Sequence, residues 1–299
     1  MTPTDSTFAP PSTERRPLQV VGEVFSNKRV GDYFHLTIVA DGIGEQTRPG
    51  NFVALAVGGD TSAHLLRRCF SIYRARPAGI YGGTVEIVFA AGGPGTEWLS
   101  RLQPHDAVDV VGPLGRPFAL PKEPVACALV GGGYGSAPLF GLAERLRERK
   151  CPVHMVLGAA TETRLFGTLE ARRAAQSVTV TTVDGSVGIK GLVTDALPGL
   201  ITRNKIEVVY SCGPMGMLKA VTDVAVELGA WSQTAVEESM ACGIGVCMTC
   251  VLPVAGDNGV IKMVRSCVEG PVFGGDKVQW DAVGTIPPGT FGAPSGGGH

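Results

Sequence analysis

Four of the chain's eight cysteines fall in one short region: Cys242, Cys247 and Cys250 lie within MACGIGVCMTC, residues 240–250, and Cys267 follows seventeen residues after Cys250. The surrounding stretch, 235–275, holds many glycines and only brief strand candidates, MTCVLPV and VIKMV, too little apolar material for a core of its own. Something other than hydrophobic burial has to organise it. Thiolates bind soft metal centres, and a glycine-rich loop can wrap one closely, so a ligand held by sulfur is the natural organiser.

Two centres suit four thiolates: one zinc ion, or an iron–sulfur cluster. Structural zinc sites tend to come as paired CxxC knuckles, and this region has a single CxxC. The spacing C-x4-C-x2-C with a distant fourth cysteine is that of the plant-type [2Fe–2S] ferredoxins. Gly243 and Gly245 would let backbone N–H groups approach the sulfurs. A [2Fe–2S] cluster on Cys242, Cys247, Cys250 and Cys267 is the expectation, with zinc and unrelated free thiols as the alternatives.

The other cysteines, Cys69, Cys127, Cys151 and Cys212, are scattered, and the opening MTPTDSTFAPPSTERRP has no apolar stretch of the kind that directs export. Free thiols in a cytoplasmic, soluble protein are therefore expected rather than disulfides. With 26 basic against 27 acidic residues and no long run of either sign, nothing in the charge favours nucleic acid or an anionic membrane. The longest uncharged run, Val125 to Ala143, is divided by four glycines near its centre and by Pro138, so it reads as strand, loop and helix rather than a membrane span.

At 299 residues, 44% of them hydrophobic, the chain can fill more than one core. Residues 1–17 are rich in Pro, Ser and Thr and are expected to be a disordered extension. From 18 to 121, short Val-, Ile- and Phe-rich runs broken by Gly and Pro predict an antiparallel β-barrel, with one helix opening near Thr96 as its N-cap. From 122 to 230 strand alternates with helix: VACALVG, VHMVLGA, SVTVTTV and EVVYSCG are the strands, which implies a parallel α/β lobe. Residues 231–283 form the small cysteine domain, and 284–299, ending SGGGH, read as a mobile tail.

Within the barrel, Arg68-Cys69-Phe70-Ser71 puts an arginine, an aromatic and a hydroxyl on one strand. Such a set can meet a phosphate, an isoalloxazine ring and the flavin N5 edge, and Gly93-Pro94-Gly95-Thr96 opens a helix in a way that suits a pyrophosphate. An isolated R-x-F-S is far more often an ordinary strand; here it precedes a nucleotide-type domain. The loop Gly131-Gly132-Gly133-Tyr134-Gly135 leaves a buried strand and enters a helix, yet Ser136 stands where the third glycine of G-x-G-x-x-G would fall. Cys212-Gly213-Pro214-Met215 ends another strand at the edge where α/β sheets bind ligands. Either loop alone reads equally well as a tight turn.

In this order the motifs RCFS, GPGT, GGGYGSAP, CGPMGM and C-x4-C-x2-C resemble the ferredoxin reductase superfamily, over about residues 18–275. Within it, the chain is similar to the electron transfer subunits of dihydroorotate dehydrogenase B (NAD+), helped by the stretch DGSVGIKGLVTDAL at 184–197 and by a cluster domain placed after the nucleotide lobe. The resemblance implies three cofactors: FAD, a [2Fe–2S] cluster, and NAD with NADP left open, since Glu162 and Arg164 both follow the second strand of the lobe. It places Arg68, Cys69, Phe70 and Ser71 along the flavin, with Ser71 at the reactive edge. Val88, Phe89 and Ala90 would lie on a neighbouring strand, and Gly95 and Thr96 at the pyrophosphate. Gly131, Gly132, Gly133 and Gly135 would hold the NAD phosphates. Cys212, Gly213 and Pro214 would line the nicotinamide, so that Ser71 and Cys212 flank the reacting rings.

The implied activity is electron transfer between the FMN of a dihydroorotate-oxidising catalytic subunit and NAD, in pyrimidine biosynthesis, within a heterotetramer. The alternatives are an equivalent subunit of another redox complex, of the ferredoxin–NADP transhydrogenase or hydrogenase type, and a zinc-stabilised binding module without catalysis. No convincing catalytic base is present: His35, His64, His105, His154 and His299 are dispersed, and no motif ties a base to Cys212 as a nucleophile. Glu237 and Glu238 are expected to lie exposed, with a role in orienting the cluster loop as the alternative.

Overall fold

The computed structural model describes residues 16–59, 62–79 and 82–293. The first unit is a closed barrel built from β1 (Leu18–Val30), β2 (Tyr33–Val39), β3 (Phe52–Leu55), β4 (Arg68–Gly79), β5 (Gly82–Phe89) and β6 (Ala107–Leu114), joined in the order β1-β2-β5-β4-β3-β6. Alternate residues such as Leu36, Ile38, Val85, Ile87 and Val110 are fully buried, which is why these runs of β-branched and aromatic residues close on one core. Besides the expected helix, α2 (Pro94–Ser100), the barrel carries a four-residue helical turn, α1 (Ile43–Gln46), too short to leave a periodic signal. The helix cap also differs from expectation. Gly93 is the N-cap, and Thr96 reaches back from the first turn to accept the N–H groups of Gly92 and Gly93 at 3.1 Å each.

The second unit alternates strand and helix: β7 (Cys127–Gly132), α3 (Ala137–Glu148), β8 (Val153–Ala159), α4 (Thr168–Ala174), β9 (Ser177–Thr182), β10 (Ile189–Lys190), α5 (Val193–Asn204), β11 (Val208–Cys212), α6 (Met215–Glu227) and β12 (Trp231–Ala235). Its sheet runs β10-β9-β8-β7-β11-β12 with all neighbours parallel. The order reverses between β7 and β11, and such a switch point opens a crevice at the carboxyl ends of the two strands. The uncharged run at 125–143 is divided into strand, turn and helix, and among the described residues no helix is long and apolar enough to cross a membrane.

The cysteine segment adds β13 (Val251–Ala255), β14 (Ile261–Arg265) and β15 (Val272–Gly274). The first two form a two-stranded antiparallel sheet, with Val254 of β13 also bridging Val278, whereas β15 joins the edge of the lobe's sheet antiparallel to β12. The boundary expected at 230/231 therefore falls inside one sheet, because the hydrogen-bonding edge of β12 is completed by chain from beyond it. Residues 284–293, expected to be mobile, instead fold back over β14: Thr290 is buried and the Phe291 N–H donates to the Ile261 carbonyl at 2.8 Å. The expected disordered extension, up to residue 15, and the last six residues lie outside the described residues.

Barrel and lobe share one core. Tyr33 and Tyr73 from the barrel are buried with Phe140 and Phe166 of the lobe, and Tyr73 meets both phenylalanine rings edge-on at 5.9 and 5.5 Å. The Tyr33 hydroxyl donates to the Arg164 carbonyl at 2.8 Å, and Tyr73 and Arg74 both donate to the Glu170 carboxylate.

Within the barrel, the buried Glu86 is bonded to His35 at 2.8 Å and lies 3.7 Å from Arg76. Burial pushes its carboxyl up, but the hydrogen bond from His35 and the charges of His35, Arg74 and Arg76 together outweigh that and hold it below its ordinary 4.5. A depressed carboxylate contributes stability that is complete above its unfolded-state value and is lost as pH falls through the folded one. Glu86→Gln is expected to destabilise the protein by about 1–3 kcal/mol at neutral pH. The gap from the parent should shrink below pH 4.5 in denaturant unfolding curves. A gap that widens in acid would contradict the assignment.

Candidate functional site

A cleft of about 670 Å³ runs between barrel and lobe, within the size range of cofactor sites. On the barrel side β4 contributes Cys69, Phe70 and Ser71, with Ser71 exposed to the cleft. The end of β5 adds Val88, Phe89 and then Ala90, and α2 adds Thr96. Arg68 stands just behind this wall: its Nε is 3.1 Å from where a Cβ on Gly95 would be, so its side chain covers the start of α2. These residues come from three separate elements, and barrel closure is what brings them onto one wall.

The lobe side is made at the switch point. Gly132 at the end of β7 with Gly133 and Gly135 beyond it, and Cys212 at the end of β11 with Gly213 and Pro214 beyond it, all border the cleft. A Cβ on Gly135 would lie 2.9 Å from the Gly213 Cα and 3.2 Å from the Cys212 carbonyl oxygen, so the two loops meet backbone to backbone. That leaves a cradle of main-chain groups facing the cleft, which suits a phosphate-bearing dinucleotide. Gly131 does not border it. A Cβ there would strike the Ser136 Cβ at 2.5 Å, so this glycine serves the closure of its own loop. Ser136, the departure from the usual fingerprint, is buried and donates to the Gly133 carbonyl at 2.8 Å, which explains a hydroxyl where a glycine would leave the loop unpinned.

The Cys212 thiol is buried and pushed up to about 12 by burial and by the nearby Glu237 charge, so it lines the pocket as a neutral group and not as a nucleophile. Glu237 is exposed, as expected, and Glu238 half-buried; both also line the cleft, where partial desolvation pushes both carboxyls up. Their order in the chain gave no signal of the cleft, because they follow the carboxyl end of β12, beside β11. Tyr33 was not anticipated either. It reaches the cleft from the β1–β2 turn and packs on Tyr134 with ring centroids 5.3 Å apart, a contact no local pattern encodes. Of the two candidates for cofactor discrimination, Arg164 borders the cleft.

The four clustered cysteines are brought together as two pairs. Cys247 is within hydrogen-bonding reach of Cys242, and Cys267 of Cys250. Among the described residues no three His, Cys, Asp or Glu side chains close around a single ion. Cys242, Cys247, Cys250 and Cys267 would together hold an iron–sulfur cluster, which would supply one-electron transfer. The surroundings fit as well. Cys242 Sγ accepts N–H groups from Val246 at 3.3 Å and Cys247 at 3.5 Å, and Ser266 ties the far pair by donating its N–H and hydroxyl to the Cys250 carbonyl at 2.9 and 2.8 Å. Hydrogen bonds from Thr249, then from Cys242, hold the exposed Cys247 down at about 6, while burial, then Cys250, pushes Cys267 up to about 12. Cys250 and Cys267 pack on Phe52, Ala54 and Leu114 of the barrel, with Cys69 at the border of the same patch. Gly243, at φ 72°, settles onto that patch.

Residues 237–279 match the family model for the iron–sulfur cluster binding domain of dihydroorotate dehydrogenase B, and 129–223 match an oxidoreductase NAD-binding domain. The chain is 34% identical over 249 residues to the dihydroorotate dehydrogenase B (NAD+) electron transfer subunit of Desulforamulus reducens, covering 83% of this chain and 93% of that one. Against the subunit of the same name from Geobacillus thermodenitrificans it is 38% identical over 245 residues, 80% and 90% of the two chains. Among solved structures, an NADH-dependent reduced ferredoxin–NADP oxidoreductase superposes with a TM-score of 0.76 at 31% identity, over 88% of this chain and 91% of that one. A ferredoxin NADP+ reductase from Neisseria gonorrhoeae with bound FAD and NADP shares the fold, with a TM-score of 0.55 at 13% identity, covering 71% and 92%.

Gly135→Val is expected to push the two lobe loops apart and weaken NADH binding at least about tenfold, while flavin and iron content stay at parent levels. Titration of NADH against the flavin absorbance measures this, and unchanged affinity would remove the lobe loops from the nucleotide site. Gly243→Ala, strained at its backbone and with a Cβ 3.0 Å from Cys69 Sγ, is expected to lower iron and sulfide content without loss of FAD.

Proposed function

The chain belongs to the family of dihydroorotate dehydrogenase B (NAD+) electron transfer subunits, and from that membership we propose that it carries electrons between an FMN-bearing, dihydroorotate-oxidising partner and NAD. The observation that supports this reading best is the shared wall. Cys69 borders the cleft and also the patch on which Cys250 and Cys267 pack, so one side chain of the barrel wall separates the cleft from two of the clustered cysteines. When bound, FAD exchanges hydride with a nicotinamide, two electrons at once, while a [2Fe–2S] cluster passes electrons singly.

In this proposal the chain's own residues divide the work by position. Arg68, Phe70 and Thr96, with the strand end Val88–Ala90, would hold FAD along the barrel wall, with Ser71 offering a hydroxyl donor in the cleft. Gly132, Gly133 and Gly135 would hold the NAD phosphates. Cys212, Gly213 and Pro214 would hold the nicotinamide, the neutral thiol filling space beside it. The apolar walls at Phe89 and Met240 keep water from the reacting atoms. Cys242, Cys247, Cys250 and Cys267 hold the cluster.

The partner would dock where the cluster comes nearest the surface. Ile244, Val246 and Met248 are 53%, 76% and 52% exposed around the exposed Cys247, an apolar tip that suits a protein interface and shortens the path to a partner's flavin. We place the complex, a heterotetramer, in the cytoplasm, a reading supported by eight cysteines that are all unbridged. The strong structural likeness to the ferredoxin–NADP oxidoreductase chain favours one second reading, the same wiring in a complex that serves ferredoxin.

Purified with its native partner, the protein is expected to form NADH and orotate from dihydroorotate and NAD+. Ferredoxin-dependent NADPH turnover without orotate would decide for the second reading. Val246→Asp together with Met248→Asp should retain flavin and cluster spectra and NADH-driven flavin reduction yet lose co-elution with the partner. Co-elution at parent levels would move the docking face elsewhere. Ser71→Ala is expected to slow stopped-flow flavin reduction by NADH about tenfold or more with FAD still bound.

A further inference from the structure

Cys69 belongs to two surfaces at once. On β4 it alternates with Phe70, so it faces the same side as Ser71, and it pairs across the ladder with Ala54 of β3. Its side chain borders the cleft and also the patch formed by Phe52, Ala54, Leu114, Cys250 and Cys267. The loop that carries Cys242 rests directly on it. A Cβ on Gly243 would lie 3.0 Å from Cys69 Sγ and 3.6 Å from both the Ala54 Cβ and the Leu114 Cδ1. Sulfur thus occupies the place where any larger residue after Cys242 would put its side chain.

We propose that Cys69 is a positioning residue for the iron–sulfur cluster, its thiol donating a hydrogen bond to the sulfur shell beside Gly243 and raising the cluster's reduction potential where the flavin cleft meets it. Apart from the cysteines, the side chains in that patch, Phe52, Ala54, Leu114, Val111 and Met240, offer at most the weak thioether acceptor of methionine, whereas the thiolates offer strong negative charge. A donor aimed at a cluster sulfur stabilises the reduced cluster, which carries one more negative charge, and hydrogen bonds to the sulfurs are among the factors that set such potentials. An alanine or valine at this position would leave the same shell facing hydrocarbon. The cluster would then be harder to reduce, and electron exchange with a flavin bound in the cleft would tilt towards the flavin.

This inference rests on the cluster site described above, and the experiment separates the two. Anaerobically purified full-length protein with FAD and cluster bound is titrated with reductant while the reduced-cluster signal is followed by electron paramagnetic resonance. For Cys69→Ala the equilibrium constant for cluster reduction is expected to fall about tenfold, a shift of about 59 mV to more negative potential for one electron. Cys69→Ser, which keeps a donor, is expected to stay within about threefold of the parent. Should Cys69→Ala fail to retain iron, Cys69→Val, which fills the space without donating, provides the comparison. A midpoint unmoved in the donor-free variant, or equal shifts in the serine and donor-free variants, would overturn the role of Cys69. Absence of any reducible cluster signal in the parent would overturn the cluster itself.

Discussion

The cysteine segment cannot hold itself together, and much of the molecule follows from how it is held. Its apolar residues are split between two neighbours: Cys250 and Cys267 complete a patch on the barrel, while Val236, Leu252, Phe273 and Val278 pack together under α6 and the edge of the lobe's sheet. A segment anchored at both sides by other units' surfaces still needs its central loop fixed. Four thiolates drawn to one centre supply that, because binding energy released on coordination is folding energy for a loop with no core. The same coordination places the centre against the barrel wall.

That wall matters only if the lobe faces it at a fixed angle. The barrel and lobe are joined through a buried aromatic group, Tyr33, Tyr73, Phe140 and Phe166, and through hydrogen bonds that cross the boundary to Arg164 and Glu170. A side chain such as Tyr73 cannot rotate away without vacating two edge-on ring contacts and giving up its hydrogen bond to the Glu170 carboxylate. The cleft is therefore set by tertiary packing on both sides. Electron transfer over short distances gains directly from such rigidity, since its rate depends on separation and orientation being held.

Charge is distributed in keeping with this. Cys212 and Cys69, the two thiols that border the cleft, are both pushed up to about 12, by burial foremost, so neither adds a thiolate to the cleft. The low-lying thiol is Cys247, at the exposed tip.

Much of this was written in short-range pattern. The spacing of Cys242, Cys247 and Cys250 reports one loop around one centre, the β-branched runs before residue 121 report a barrel, and the change to strand–helix alternation after it reports a parallel sheet. All of these are local, since period and spacing are properties of consecutive residues. Other features were beyond such reading because they depend on distant chain. The edge of β12 is completed by β15 from beyond the cysteines, the short α1 turn is held by the barrel around it, and Thr96 is a first-turn residue whose cap is Gly93. Glu237 is the surface acid it looked like, but it also borders the cleft, beyond the end of β12. Gly131 looked like a phosphate contact until Ser136 was found closing on it. Cys69 is the clearest instance. Its neighbours in the chain, Arg68 and Phe70, say only that it lies on a strand, and its contact with Gly243 exists because 174 residues later the chain returns to the same face of the barrel. Residue type and period settle which elements form and what chemistry they carry; which of those groups meet is settled by packing, because contact between distant segments has no local signature.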